Sequence, residues 1–143
     1  MTASRDLTGR DDALTVVTEF YRRAFEDGVL GPIFRDVARL DLAAHLPVIA
    51  DFWDTVLFRA GTYRRNLLRV HLALHEQFPL TSAHFSRWLA LWAATVDDLF
   101  VGAKADMAKT QAERIAWSMI RRLRREDASE LVTIRRRDQL DQP

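Results

Sequence analysis

The chain has 143 residues, 48% hydrophobic and 29% charged, which suits one globular domain able to fold around its own core. Its 21 basic and 20 acidic residues leave a formal net charge of +1, so no global field draws it to nucleic acid or to an anionic membrane. The absence of cysteine excludes a disulfide framework, a thiolate-ligated metal and a cysteine nucleophile. With no signal-peptide core in MTASRDLTGRDD and no apolar run near the roughly 18 residues of a membrane span, the expectation is a soluble cytoplasmic protein.

Residues 1–10 are polar and unpatterned and read as a flexible lead. From Asp12 the spacing turns helical. Ala13, Val17, Phe20 and Ala24 make one row and Leu14, Tyr21 and Phe25 its neighbour, until Asp27-Gly28 signals a stop. Leu30-Gly31-Pro32-Ile33-Phe34 is a corner too apolar for a solvated loop, so it should fold back on the core. Asp41 suits an N-cap for a helix carrying Ile49, Phe52, Trp53, Val56 and Leu57 inward, with His45 and Leu46 one turn earlier. Pro47 either sits in its first turn or kinks it, and Gly61 closes the segment.

The next stretch, YRRNLLRVHLALHEQF from Tyr63 to Phe78, places His71 and His75 one turn apart on a short apolar helix. Both imidazoles can face the interior and one can bind a metal. The ordinary alternative is one hydrogen-bonded core histidine and one surface residue. Phe78-Pro79-Leu80-Thr81 forms a second apolar corner with Thr81 as N-cap. The helix it starts is the clearest in the chain, with Phe85, Trp88, Leu89, Trp92, Val96, Leu99 and Phe100 at 3, 4 spacing until Gly102. A last helix near Lys104 to Arg125 turns Ala108, Ala112, Ile115, Ala116, Met119, Ile120 and Leu123 inward. Beyond Glu126 the pattern fades, and about 127–143 read as a flexible tail.

No strand pattern or internal repeat appears, so the reading is all-α and one domain. Two apolar corners and a short histidine helix suit globin-type packing better than an up-and-down bundle. Several chemistries lack their frame: there is no Gly-rich phosphate loop, no G-x-S-x-G, no H-E-x-x-H, and no Glu three residues before any histidine. The basic runs Arg121-Arg122, Arg124-Arg125 and Arg135-Arg136-Arg137 read as a helix C-terminus favoured by cations and a solvated tail, diluted by Glu126, Asp127, Glu130 and Asp138. Haem remains. It needs one protein imidazole, an apolar slot, and donors for a bound ligand whose oxygen carries partial negative charge. Tyr21, His45 and Trp88 are polar-tipped groups on otherwise apolar stripes, although each alone also suits a packed aromatic or boundary residue.

Four segments, FYRRAFEDGVLGPIF (20–34), HLPVIADFW (45–53), TYRRNLLRVH (62–71) and FPLTSAHFSRWLALW (78–92), together resemble the truncated haemoglobins, specifically their group III. The resemblance implies a globin-like two-over-two helical sandwich around haem b, iron protoporphyrin IX, binding O2 or another small diatomic ligand. It implies Tyr21 as distal tyrosine, Phe34 against the porphyrin, and His45 as a distal gate or supporting group. Ile49, Phe52 and Trp53 would line the pocket, and Trp88 would aim its donor-only indole N–H at the ligand. Read forward from TYRRNLLRVH, the iron ligand is His71, with Leu67 as its apolar neighbour. Read backward from FPLT, it is His75. Arg64, Arg65 and Arg69 are candidates for the haem propionates. Haem redox chemistry on peroxide or NO, fed by a reductase, is the alternative function. His84, in the first turn after Thr81, is expected to be structural and away from the ligand face.

Overall fold

The computed structural model describes the backbone of residues 3–37, 41–59, 75 and 80–140, and the side chains of 3–35, 41–59, 75 and 80–125. Among the described residues four long helices carry the fold: α1 (Arg10–Glu26), α2 (Leu42–Phe58), α3 (Ser82–Leu99) and α4 (Ala103–Leu140), with a π-helical turn at Ile33–Val37 after α1. No strand occurs among the described residues. Helix α1 packs chiefly on α2 and α3 on α4. Contacts of α1 with α3 and of α2 with α4 join the two pairs into a sandwich.

Each helix follows from its sequence. Helix α1 buries Ala13, Val16, Val17, Phe20, Tyr21 and Ala24, one continuous face at 3, 4 spacing, and Asp11 and Asp12 in its first turn complement the dipole. It ends at Asp27, whose carboxylate accepts the N–H groups of Val29 and Leu30 at 3.0 Å each. Gly31 then passes so close to α1 that a Cβ would stand 2.7 Å from the Phe25 carbonyl oxygen, so the apolar corner does fold against the core. Asp41 caps α2 through Ala43 N–H at 3.1 Å. Pro47 lies in the second turn of α2, where it removes one i→i−4 bond without ending the helix. Helix α2 stops at Arg59, left-handed at φ 55, two residues before the glycine that the sequence suggested as its end.

The core is aromatic. Trp53 and Trp92 stack at 4.4 Å, Trp88 lies parallel to Trp92 at 6.1 Å, and Phe20 meets both Trp88 and Trp92 edge-on. The Trp92 indole donates to the Ala108 carbonyl at 3.2 Å, which ties α3 to α4 and satisfies its buried N–H.

Structure extends into the polar lead and past Glu126. The lead is fastened from Arg5 onward: Leu7 is buried, Arg5 makes two hydrogen bonds to Asp12, and Val101 N–H reaches the Arg5 carbonyl. Asp6 accepts Lys104 and Ala105 N–H at 2.8 and 2.9 Å, so the polar residue that made this segment look unstructured caps α4. At the other end α4 continues to Leu140. The run after Glu126 holds no Gly or Pro before Pro143, and elongating a formed helix costs little even where no amphipathic stripe guides it. No helix among the described residues is long and apolar enough to cross a membrane.

Candidate functional site

A cleft opens between the two helix pairs, and the sequence-marked residues Tyr21, Phe34, Ile49, Phe52, Trp53 and Trp88 all line it. Helix α1 supplies the tyrosine, the corner Phe34, α2 the next three and α3 the tryptophan. The cavity volume of the cleft is about 120 Å³. Its wall is almost wholly apolar, so the few polar tips decide what it can do.

Tyr21 is the best placed of these. It is 7% exposed, and its hydroxyl lies 3.0 Å from His45 Nε2, the two rings meeting edge to face at 5.3 Å. Burial pushes the phenol pKa upward, so the hydroxyl keeps its proton and can donate at neutral pH. Phe34 packs edge-on against the Tyr21 ring at 5.5 Å and stacks with Phe25, which holds the phenol from the corner side. Trp88 is half-buried on the next wall. Its N–H makes no hydrogen bond to a described protein group, whereas its stacking on Trp92 and the Phe20 edge fix the plane of the indole. The neighbouring Arg87 donates to Asp27 at 2.7 Å and clamps this end of α3 to the corner.

His84 is a correction. Expected to face away from the ligand side, it lines the cleft. It also serves the capping role: Nδ1 accepts Thr81 N–H at 2.9 Å and lies 3.1 Å from the Thr81 hydroxyl. In neutral His84 the proton therefore sits on Nε2. Leu80, Phe85, Ile115 and Met119, read from the sequence as corner or core, complete that end.

The remaining marked residues divide. Leu67, His71, Arg64, Arg65 and Arg69 lie outside the described residues. His75 is described, half-buried, and its Nδ1 accepts Leu80 N–H at 2.9 Å. Among the described residues no three of His, Asp or Glu converge as a metal-binding group.

The sequence matches no family model and no curated relative. The backbone does find a counterpart in the crystal structure of group III truncated hemoglobin from Campylobacter jejuni. The TM-score is 0.72 at 23% identity, over 82% of this chain and 92% of that one. The fold is that of a truncated haemoglobin. The resemblance carried by the four sequence segments thus agrees with the three-dimensional fold of a group III member. In this truncated-haemoglobin fold the cleft lies where α1, the corner, α2 and α3 can enclose a flat ligand. A porphyrin is such a ligand. The wall suits it chemically: aromatic and aliphatic faces for the ring, with polar tips at Tyr21, Trp88 and His84.

Proposed function

We propose that the protein binds haem b in this cleft and holds O2 or another small diatomic ligand under the Tyr21 hydroxyl. The observation that carries the reading is the part-buried Tyr21–His45 hydrogen bond beside a largely apolar, aromatic-walled cleft, on a truncated-haemoglobin fold. Haem would supply the iron to which the ligand bonds. The chain's own residues then govern how long the ligand stays.

The direction of the Tyr21–His45 bond matters. If the phenol donates to Nε2, its only proton is committed to His45. If Nε2 carries the proton and donates to the phenol oxygen, the Tyr21 O–H is free to point into the cleft. The second arrangement is the competent one, so His45 acts by setting which way Tyr21 donates. Trp88 adds a second donor that cannot accept, so the pair favours a ligand with partial negative charge on its outer atom. Phe34, Ile49, Phe52 and Trp53 exclude water, which strengthens both bonds.

For the iron ligand we favour His71 over His75. A neutral histidine that ligates through Nε2 carries its proton on Nδ1 and donates it to an acceptor. His75 Nδ1 instead receives a backbone N–H, which puts the proton on Nε2, the atom that would have to bind iron. Coordination by His75 would require loss of that proton or rupture of the Leu80 bond. Leu67, four residues before His71, would then be its apolar neighbour.

Optical spectroscopy tests the reading. Protein purified or reconstituted with hemin should bind one haem per chain and show a Soret band that shifts on reduction under CO. Hemin that stays free in solution, with no change in its spectrum, would refute it.

A further inference from the structure

Among the described residues, the outward face of α4 opposite the cleft is a strongly charged and aromatic surface that the haem reading leaves unused. Trp117 is 58% exposed, the most exposed of the large hydrophobic side chains among the described residues. At 3.6 residues per turn, Arg114, Trp117, Arg121, Arg124 and Arg125 share one face about 100° wide, and all four arginines are exposed. Five guanidinium groups elsewhere are paired with carboxylates: Arg5 with Asp12, Arg10 with Asp51, Arg22 and Arg23 with Glu19, and Arg87 with Asp27. On this face none of the four has a carboxylate partner among the described residues. A surface tryptophan ringed by unpaired arginines has the residue types that dominate protein–protein hot spots.

The opposite side of the same turns carries Ile115, Ala116 and Met119, which line the cleft. The thickness of one helix, about 10 Å, separates the face from the cleft interior. We propose that this face docks an acidic one-electron carrier protein, one whose redox centre is ringed by carboxylates, and that electrons enter the cleft through α4. Charge complementarity selects the partner. The net charge of +1 leaves no global attraction for polyanions, so the unpaired arginines act locally and at short range. One tryptophan is too small an apolar face to hold an amphipathic helix in a membrane. The runs Arg121-Arg122 and Arg124-Arg125, which the sequence alone presents as a solvated helix end, thereby acquire a task.

The electron-transfer step rests on the haem reading; the docking step does not. In the test, a photoreduced acidic [2Fe–2S] ferredoxin is mixed with hemin-reconstituted protein under CO, and ferric-to-ferrous conversion is followed at the Soret band. The paired change Arg121→Glu with Arg124→Glu, and separately Trp117→Ala, should slow reduction by about tenfold or more at low ionic strength, a gap that closes near about 0.5 M salt. Reduction by dithionite, which needs no docking, and haem content should be unchanged. Equal ferredoxin rates for wild type and variants would overturn the proposal, as would a wild-type rate indifferent to salt. Calorimetry of haem-free protein with the same ferredoxin should show binding that the paired variant loses, so failure to bind hemin leaves the docking claim separately decided. Tighter binding to single-stranded oligonucleotide or to phosphatidylserine vesicles than to ferredoxin would overturn the partner class.

Discussion

Replacing His75 and His71 one at a time separates a capping histidine from an iron ligand. The His75→Ala change removes the acceptor of the Leu80 N–H at 2.9 Å, in a half-buried corner that leads into α3. Leaving such a donor unpaired costs about 1–3 kcal/mol, less whatever water recovers at the partly exposed corner. For a chain of this length that is a fall in Tm of roughly 3–8 °C. His75→Asn, whose side-chain oxygen can also accept, should recover part of it. Neither change should alter the spectrum of the reduced CO complex or the one-to-one haem stoichiometry. His71→Ala should do the reverse: haem content falls sharply or the iron coordination changes, and imidazole added to the buffer partly restores the spectrum. The measurements are differential scanning fluorimetry beside reduced and CO-bound optical spectra for each variant. If His75→Ala loses the wild-type spectrum while His71→Ala keeps it, the tautomer reasoning fails and His75 holds the iron.

Removing the phenol hydroxyl in Tyr21→Phe should leave the edge-on packing with Phe20 and Phe34 intact and speed O2 release by roughly 10- to 100-fold, the loss of one hydrogen bond to a partly charged acceptor. Stopped-flow displacement by CO reads this directly, and an unchanged off-rate would remove Tyr21 from the ligand. If the protein instead turns over peroxide with an added reductant above the rate of free hemin, Tyr21→Phe should lower that rate. Trp88→Phe should also hasten release, and less than additively with Tyr21→Phe if both donors act on one ligand atom. The Asp12 carboxylate is held below its ordinary pKa, chiefly by the Arg5 guanidinium and then by the Thr8 N–H and hydroxyl, against the opposing effect of burial. A depressed folded pKa gives stability that is present above the usual carboxylate value near 4 and is lost as pH falls. Asp12→Asn should therefore lower Tm by about 3–6 °C at pH 7 and flatten its decline in acid; a parallel decline in both proteins would show that the Arg5–Asp12 clasp is not the acid-sensitive element.

Much of the helical frame is legible locally, because burial of one face imposes a period on the chain. Phe20 and Ala24 in α1, Trp92 and Val96 in α3, and Ala108 and Ala112 in α4 fall where the spacing puts them. Asp41 as a cap is likewise a local matter. The clasp of Asp6 on Lys104 and Ala105 is not, since it joins residues 98 and 99 positions apart and nothing in a polar lead announces its partner. The cleft is hidden for a different reason. Ile115 and Met119 obey the same period as Ala112 and Ala116, and Trp88 the same as Trp92, so a wall of a cleft and a wall of a packed core are one pattern. Periodicity says which face turns inward; it does not say whether a neighbour meets it. What distinguishes the cleft is the polar tip left over once packing is complete. The Trp92 N–H is taken by the Ala108 carbonyl and the Trp88 N–H by no described protein group. That difference of one hydrogen bond between two tryptophans a turn apart is visible only in three dimensions, and it makes one stacked aromatic a tie between helices and leaves the other the donor that the proposed function would use.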